Sequence, residues 1–198
     1  QIFQSLHQRE PANPKWRSYL GDAWDNLGKI ELEQGHLDRA IADYAIDQRL
    51  KAEIVVQDPA NHDAIEDLLV SNAILGRTLA LSANMVAALS YTREAVNSAK
   101  KESAYDSAYA YMQEDTALYS QQLGGLLRQT RQLGAAGTAD SEALSIFAGL
   151  VGKDKLNTGW HREYAQAQSD MARLKVQLGN NATAQALSSV ALQGINTR

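Results

Sequence analysis

Apolar positions near the start of the chain follow a helical period. Trp16, Leu20, Ala23, Leu27 and Ile30 are separated by steps of three and four, which places them on one stripe of a helix. After Gly35, the residues Leu37, Ala40, Ile41, Tyr44, Leu50 and Ile54 recur among polar neighbours in a second helix. Gly35 suits a helix C-terminus, where a positive φ is often required. Asn13 followed by Pro14 predicts an N-cap with proline at the first helical position. Asp58-Pro59 ends the second helix, because proline lacks an amide donor and disfavours a helical predecessor. Asn61 is placed to cap the next helix. The pattern thus predicts antiparallel helices of roughly 20 residues, or about 30 Å, joined by short turns.

The pattern repeats. Glu10-Pro11-Ala12-Asn13, Asp58-Pro59-Ala60-Asn61, Asp106-Ser107-Ala108-Tyr109 and Asp154-Lys155-Leu156-Asn157 begin at 10, 58, 106 and 154, a step of 48 residues. At that offset Leu27 falls on Leu75, Leu123 and Met171, and Gly28 on Gly76, Gly124 and Ala172. A fixed period of this size signals stacked helical hairpins, since one hairpin alone cannot bury its apolar face. The expected division is 1–9 as the tail of a preceding repeat helix, then repeats at 10–57, 58–105, 106–153 and 154–198. Ile2, Phe3 and Leu6 occupy the register of Leu50, Lys51 and Ile54, so the array is expected to continue upstream of Gln1. The third repeat is expected to be irregular. Its proline junction is lost at Asp106-Ser107, and its first helix is expected to run on from Ser103. The segment from Leu133 to Asp140, with Gly134 and Gly137, is expected to form a longer loop before a short helix from Ser141 to Val151.

Trp24, Leu27, Gly28, Gly35, Ala40 and Tyr44 resemble the W-x2-L-G, later glycine and A-x3-F pattern of the tetratricopeptide repeat (TPR). Glu31 stands where the family has tyrosine, and Pro59 comes late because the second helix is about two turns longer than in the 34-residue form. The long form with its D-P-x-N junction is similar to arrays in large bacterial signalling proteins. The resemblance implies an all-α, right-handed superhelical solenoid of antiparallel helix pairs, with the first helix of each pair lining a concave binding face. On that face the implied partner-binding residues are Asp25, Lys29, Asn72, Arg77, Gln121 and Arg173. Lys29, Arg77 and Arg173 share one register, with Gly125 between them, and could hold a carboxylate or an acidic peptide. The competing account is a solvated face with intrahelical pairs such as Asp25 with Lys29.

Composition narrows the function classes. The formal net charge is −4 and the pI about 5.6, with no basic run, so nucleic acid is not an expected partner. There are no cysteines, which excludes thiol nucleophiles, thiolate metal sites and disulfides. No apolar stretch approaches the roughly 20 residues that span a bilayer. The expectation is a cytoplasmic protein, although absence of cysteine is equally compatible with the periplasm. His7, His36, His62 and His161 form no i,i+4 pair with another ligand, so neither metal nor cofactor is expected. Tyr105, Tyr109, Tyr111 and Tyr119 cluster at the third junction and are expected to pack neighbouring repeats together.

These observations lead to the expectation of a non-catalytic interaction module of a larger signalling or regulatory protein, binding a peptide or partner helix. The alternative is a sensor that binds a small molecule or signal peptide and changes the curvature of the array. The uncapped final helix, with Leu187, Val190 and Leu192, adds an expectation of self-association or docking through the array ends.

Overall fold

The computed structural model describes residues 2–105, 109–180, 183 and 185–189. Their helices include α1 (Ile2–Arg9), α2 (Pro14–Glu33), α3 (Leu37–Gln57), α4 (His62–Leu81), α5 (Met85–Tyr105), α6 (Ala110–Gln129), α7 (Leu133–Lys153) and α8 (Thr158–Gln177). There is no strand among the described residues. First helices begin at 14, 62, 110 and 158, and second helices at 37, 85 and 133, so each series advances by 48.

Local chemistry explains these boundaries. Asp58 and Asp154 close α3 and α7, and their carboxylates accept from the amides of Ala60 at 3.3 Å and Leu156 at 2.9 Å. This Asx turn carries the chain round to Asn61 and Asn157. Those asparagines cap α4 and α8 by accepting from Ala64 at 3.0 Å and Trp160 at 3.1 Å. Asn13 caps α2 in the same manner, accepting from Lys15 at 3.0 Å. At the hairpin turns, Gly35, Ala83, Arg131 and Gly179 all have φ between 60° and 81°. The amides that follow them, of His36, Asn84, Gln132 and Asn180, donate to Glu31, Leu79, Leu127 and Lys175 carbonyls at 2.8 to 3.0 Å. These are Schellman bonds, which satisfy carbonyls that a helix end leaves open.

Two expectations for the third repeat are corrected. α7 is continuous from Leu133 to Lys153, so there is no loop over 133–140. The small residues there are interior contacts rather than loop signals: Ala136 is fully buried, as Ala40 and Ala88 are at the same register. Nor does the first helix run on from Ser103, because α5 ends at Tyr105 and α6 starts at Ala110 behind an extended Tyr109. The irregular junction at 106–108 lies outside the described residues.

Contacts divide the chain into two compact units, Gln1–Ser98 and Ala99–Arg198. In the first, α3 packs between α2 and α4, and α1 lies against α2. Gly28 sits under Tyr44, and the α3–α4 contact carries polar pairs: Ser71 Oγ donates to Asp47 at 2.6 Å and Gln48 to Asn72 at 3.1 Å. In the second, α7 packs between α6 and α8 around Ala117, Ala143, Phe147, Leu150 and Ala167. Trp160 closes one side of that core, and its indole N–H donates to Glu114 at 2.9 Å.

Candidate functional site

First helices expose one polar row each. In the first unit this row contains Asp22, Lys29 and Glu33 on α2 and Arg77 on α4, all exposed. Asp25 is half-buried beside them. Burial pushes its carboxyl above the ordinary aspartate value; Asp47 and Asp22 add to the shift, while Lys51 and Lys29 oppose it. Asn72 is buried, and its side-chain oxygen is taken by Gln48, so it joins α4 to α3.

Below this row lies a buried ionic centre. Lys51 approaches Asp47 at 3.1 Å and Asp22 at 3.3 Å. Burial opposes the Lys51 ammonium, but Asp47, Asp22 and Asp67 outweigh it and hold the group above its ordinary value. Neither Lys51 nor Asp47 stood out in the sequence, where an i,i+4 pair on a helix reads as a solvated surface pair.

In the second unit the first helices α6 and α8 flank an open groove of about 520 Å³, lined by Gly125, Arg128, Gln129, Arg173, Val176 and Gln177. Arg173 is exposed and lies 3.6 Å from Asp170. Gln121 is half-buried on α6, and its amide nitrogen has no hydrogen-bond partner. At the groove floor, buried Arg128 donates to Asp140 of α7 and, at 3.0 Å, to Asp170 of α8. Burial raises the Asp140 carboxyl, against the pull of Arg128. A Cβ on Gly125 would stand 3.8 Å from the Arg128 guanidinium. The missing side chain at this register therefore opens the groove down to that cation. Sequence reasoning placed Gly125 and Arg173 on this face but passed over Arg128, because its partners are 12 and 42 residues away.

Of the remaining candidates, Tyr105, Tyr109 and Tyr111 are exposed, and the rings of Tyr109 and Tyr111 lie 5.9 Å apart. Tyr119, the fourth tyrosine of that cluster, is half-buried on α6. His36 pairs with Glu31 at 2.6 Å, and His161 meets the Lys155 carbonyl at 3.1 Å. Among the described residues, no group of three or more His, Asp or Glu is arranged to hold a metal, and no helix is long and apolar enough to cross a membrane. Val190 and Leu192, expected to lie on the final helix, are outside the described residues.

No family model and no curated relative matches this sequence. Solved structures do. BtubC (BKLC) from P. vanneervenii aligns over 100% of this chain and 73% of its own, with TM-score 0.72 at 15% identity. MamA aligns over 97% of this chain and 84% of its own, with TM-score 0.55 at 17% identity. YrrB, described as "a TPR protein with an unusual peptide-binding site", aligns over 98% of this chain and 92% of its own at 17% identity, but with TM-score 0.41, too low to carry anything over. Consecutive helix hairpins with small residues at their crossings, together with the likeness to BtubC and MamA, define an all-α helical repeat protein with a TPR-like fold.

Proposed function

We propose that the chain is a non-catalytic protein-interaction module whose first helices receive a peptide or partner helix. The observation that carries this reading is the open groove between α6 and α8, where Arg128 and Arg173 stand among the side-chain amides of Gln129 and Gln177. Guanidinium groups suit carboxylates, and glutamine amides both donate to and accept from a peptide backbone. The groove is open rather than enclosed, which favours a chain-like ligand over the small molecule that a sensor would enclose. Arg173 is the proposed anchor in the second unit, with Gln121 nearby on α6. Asp25, Lys29 and Arg77 are the proposed contacts in the first. Asn72 is proposed only to hold α4 in place. The junction Asp58-Pro59-Ala60-Asn61, which resembles that of arrays in bacterial signalling proteins, supports a regulatory setting.

The test is a peptide array probed with the 198-residue chain and with Arg173→Glu. Acidic peptides are expected to bind the parent and to lose at least tenfold in affinity with the variant. Equal binding by both would remove the groove from the function.

A further inference from the structure

Arg17, in the first turn of α2, is a buried cation with unfinished bonding. It is 7% exposed. Its Nη2 donates to the carbonyl of Pro11, in the turn between α1 and α2, at 2.6 Å. Its Nε lies 3.3 Å from Glu53 of α3, an ion pair whose geometry makes no hydrogen bond. Its Nη1 is buried with no hydrogen-bond partner among the described residues. Buried polar groups are nearly always satisfied, so an unfilled donor on a buried charge marks a place for an acceptor. The other hairpins do not repeat this arrangement. Ile65, Gln113 and His161 stand at the same register, and Gln113 is satisfied within its own hairpin, accepting from Lys153 at 2.9 Å.

Arg17 forms one wall of a groove of about 410 Å³ along α3, which Arg49, Ala52, Glu53, Val56 and Gln57 also line. Val56 is 80% exposed, and Arg49, Glu53 and Gln57 are exposed beside it. This side of a second helix is not a seam between repeats. At the register of Arg49, Glu53 and Val56, α5 has Asn97, Lys101 and Ala104, and α7 has Ser145, Gly149 and Gly152. All six are exposed, although both helices follow a complete earlier hairpin.

We propose that this groove binds the C-terminal carboxylate of a partner polypeptide whose last residue is apolar. Arg17 and Arg49 stand against the single carboxylate of Glu53. That leaves one cation in excess, which suits a monoanionic carboxylate better than a phosphate dianion. The ligand carboxylate gives Nη1 of Arg17 its missing acceptor, and Arg49 holds it from the rim. Ala52 and Val56 offer apolar contact to the last side chain, and the Gln57 amide meets the peptide backbone. A chain terminus reaches a guanidinium this deep more readily than the middle of a chain, because nothing has to continue past it. The groove lies on α3 and shares no residue with the one between α6 and α8.

The test offers the intact chain a library of short fluorescent peptides with random final residues, once with free C-termini and once amidated. Free-acid peptides ending in leucine, valine or isoleucine are expected to bind. Amidation, Arg49→Glu and Val56→Asp are each expected to weaken binding about tenfold. Both substitutions are at exposed positions and are expected to leave circular dichroism and melting unchanged. Glu53→Gln is expected to tighten binding several-fold, because it removes the carboxylate that competes for Arg17; a purely structural ion pair predicts no gain. Arg17→Gln is expected to abolish binding, and Arg173→Glu to leave it intact, which separates this site from the groove of the second unit. A library without binders would overturn the proposal. So would amides that bind as well as free acids, affinity indifferent to Arg49→Glu and Val56→Asp, or a folded Arg17→Gln variant that still binds.

Discussion

Gly28 lies directly under the ring of Tyr44: a Cβ on the glycine would stand 3.0 Å from both Cδ1 and Cε1. Sixteen residues separate the pair, and the same offset joins Gly76 to Thr92 and Gly124 to Asp140. The first and second helices of three hairpins therefore cross at a glycine, and what stands opposite changes from ring to hydroxyl to carboxylate.

That contact separates glycines that packing requires from glycines that merely weaken a helix. A methyl group at Gly124 would overlap the Asp140 carboxylate and push it off Arg128. Gly124→Ala is expected to cost about 2–4 kcal/mol in urea unfolding, by overpacking and loss of a buried pair. Gly149, on an exposed face of α7, has nothing within 4 Å of a built Cβ. Gly149→Ala is expected to stabilise by about 0.5–1 kcal/mol through helix propensity.

Arg128 joins three helices through Asp140 and Asp170. Arg128→Met leaves Asp140 buried without its cation and is expected to cost about 3–5 kcal/mol. Adding Asp140→Leu removes the stranded carboxyl. Chemical denaturation of the double variant is expected to recover most of the loss, whereas a merely additive second loss would mean that Asp140 contributes by shape rather than charge.

Ala83 holds φ 60° at the α4–α5 turn, where Gly35 and Gly179 hold φ 81° and 77° at theirs. A left-handed backbone costs an L-residue about 1–2 kcal/mol, and glycine recovers that at a smaller entropic cost. Ala83→Gly is expected to raise stability by about 0.5–1 kcal/mol, and Gly35→Ala to lower it by a similar amount. Thermal melts of the two variants check both signs.

Asp67 is exposed, but partial desolvation of its carboxyl, with Asp22, Asp47 and Asp63, raises it above the ordinary value of 3.8 against the pull of Lys51. The folded chain therefore takes up this proton at a higher pH than the unfolded chain. The stability linked to it is fully present below 3.8 and is lost as the pH rises through the folded value. Asp67→Asn resembles the protonated form. The variant is expected to be more stable than the parent at pH 7, with the difference shrinking as pH falls toward 4, as read from denaturation midpoints across that range.

Helix order, capping and the hairpin plan were legible because they depend on neighbours in sequence. Asn61 caps within three residues, Asp58 turns the chain within two, and the stripe on α2 is a matter of spacing. Reading failed where small residues were ambiguous. Gly134 and Gly137 suggested a loop, yet α7 runs straight through them, because flanking Ala136, Ala139 and Ala143 bury against neighbouring helices. The left-handed turns at Ala83 and Arg131 were equally silent, since neither residue announces a positive φ.

The chain alone determined that helices of this length would alternate with tight turns every few tens of residues, for periodicity, caps and prolines act over one or two helical turns. Tertiary packing decided the rest. It chose which charges went inside, setting Lys51 on Asp47 and Asp22, and Arg128 on Asp140 and Asp170. It buried Asn72 and left Arg77 and Arg173 in solvent. It also covered the stripe on α4 and α8. A local pattern specifies that a face is apolar; whether another helix stands against it depends on contacts distant in the chain.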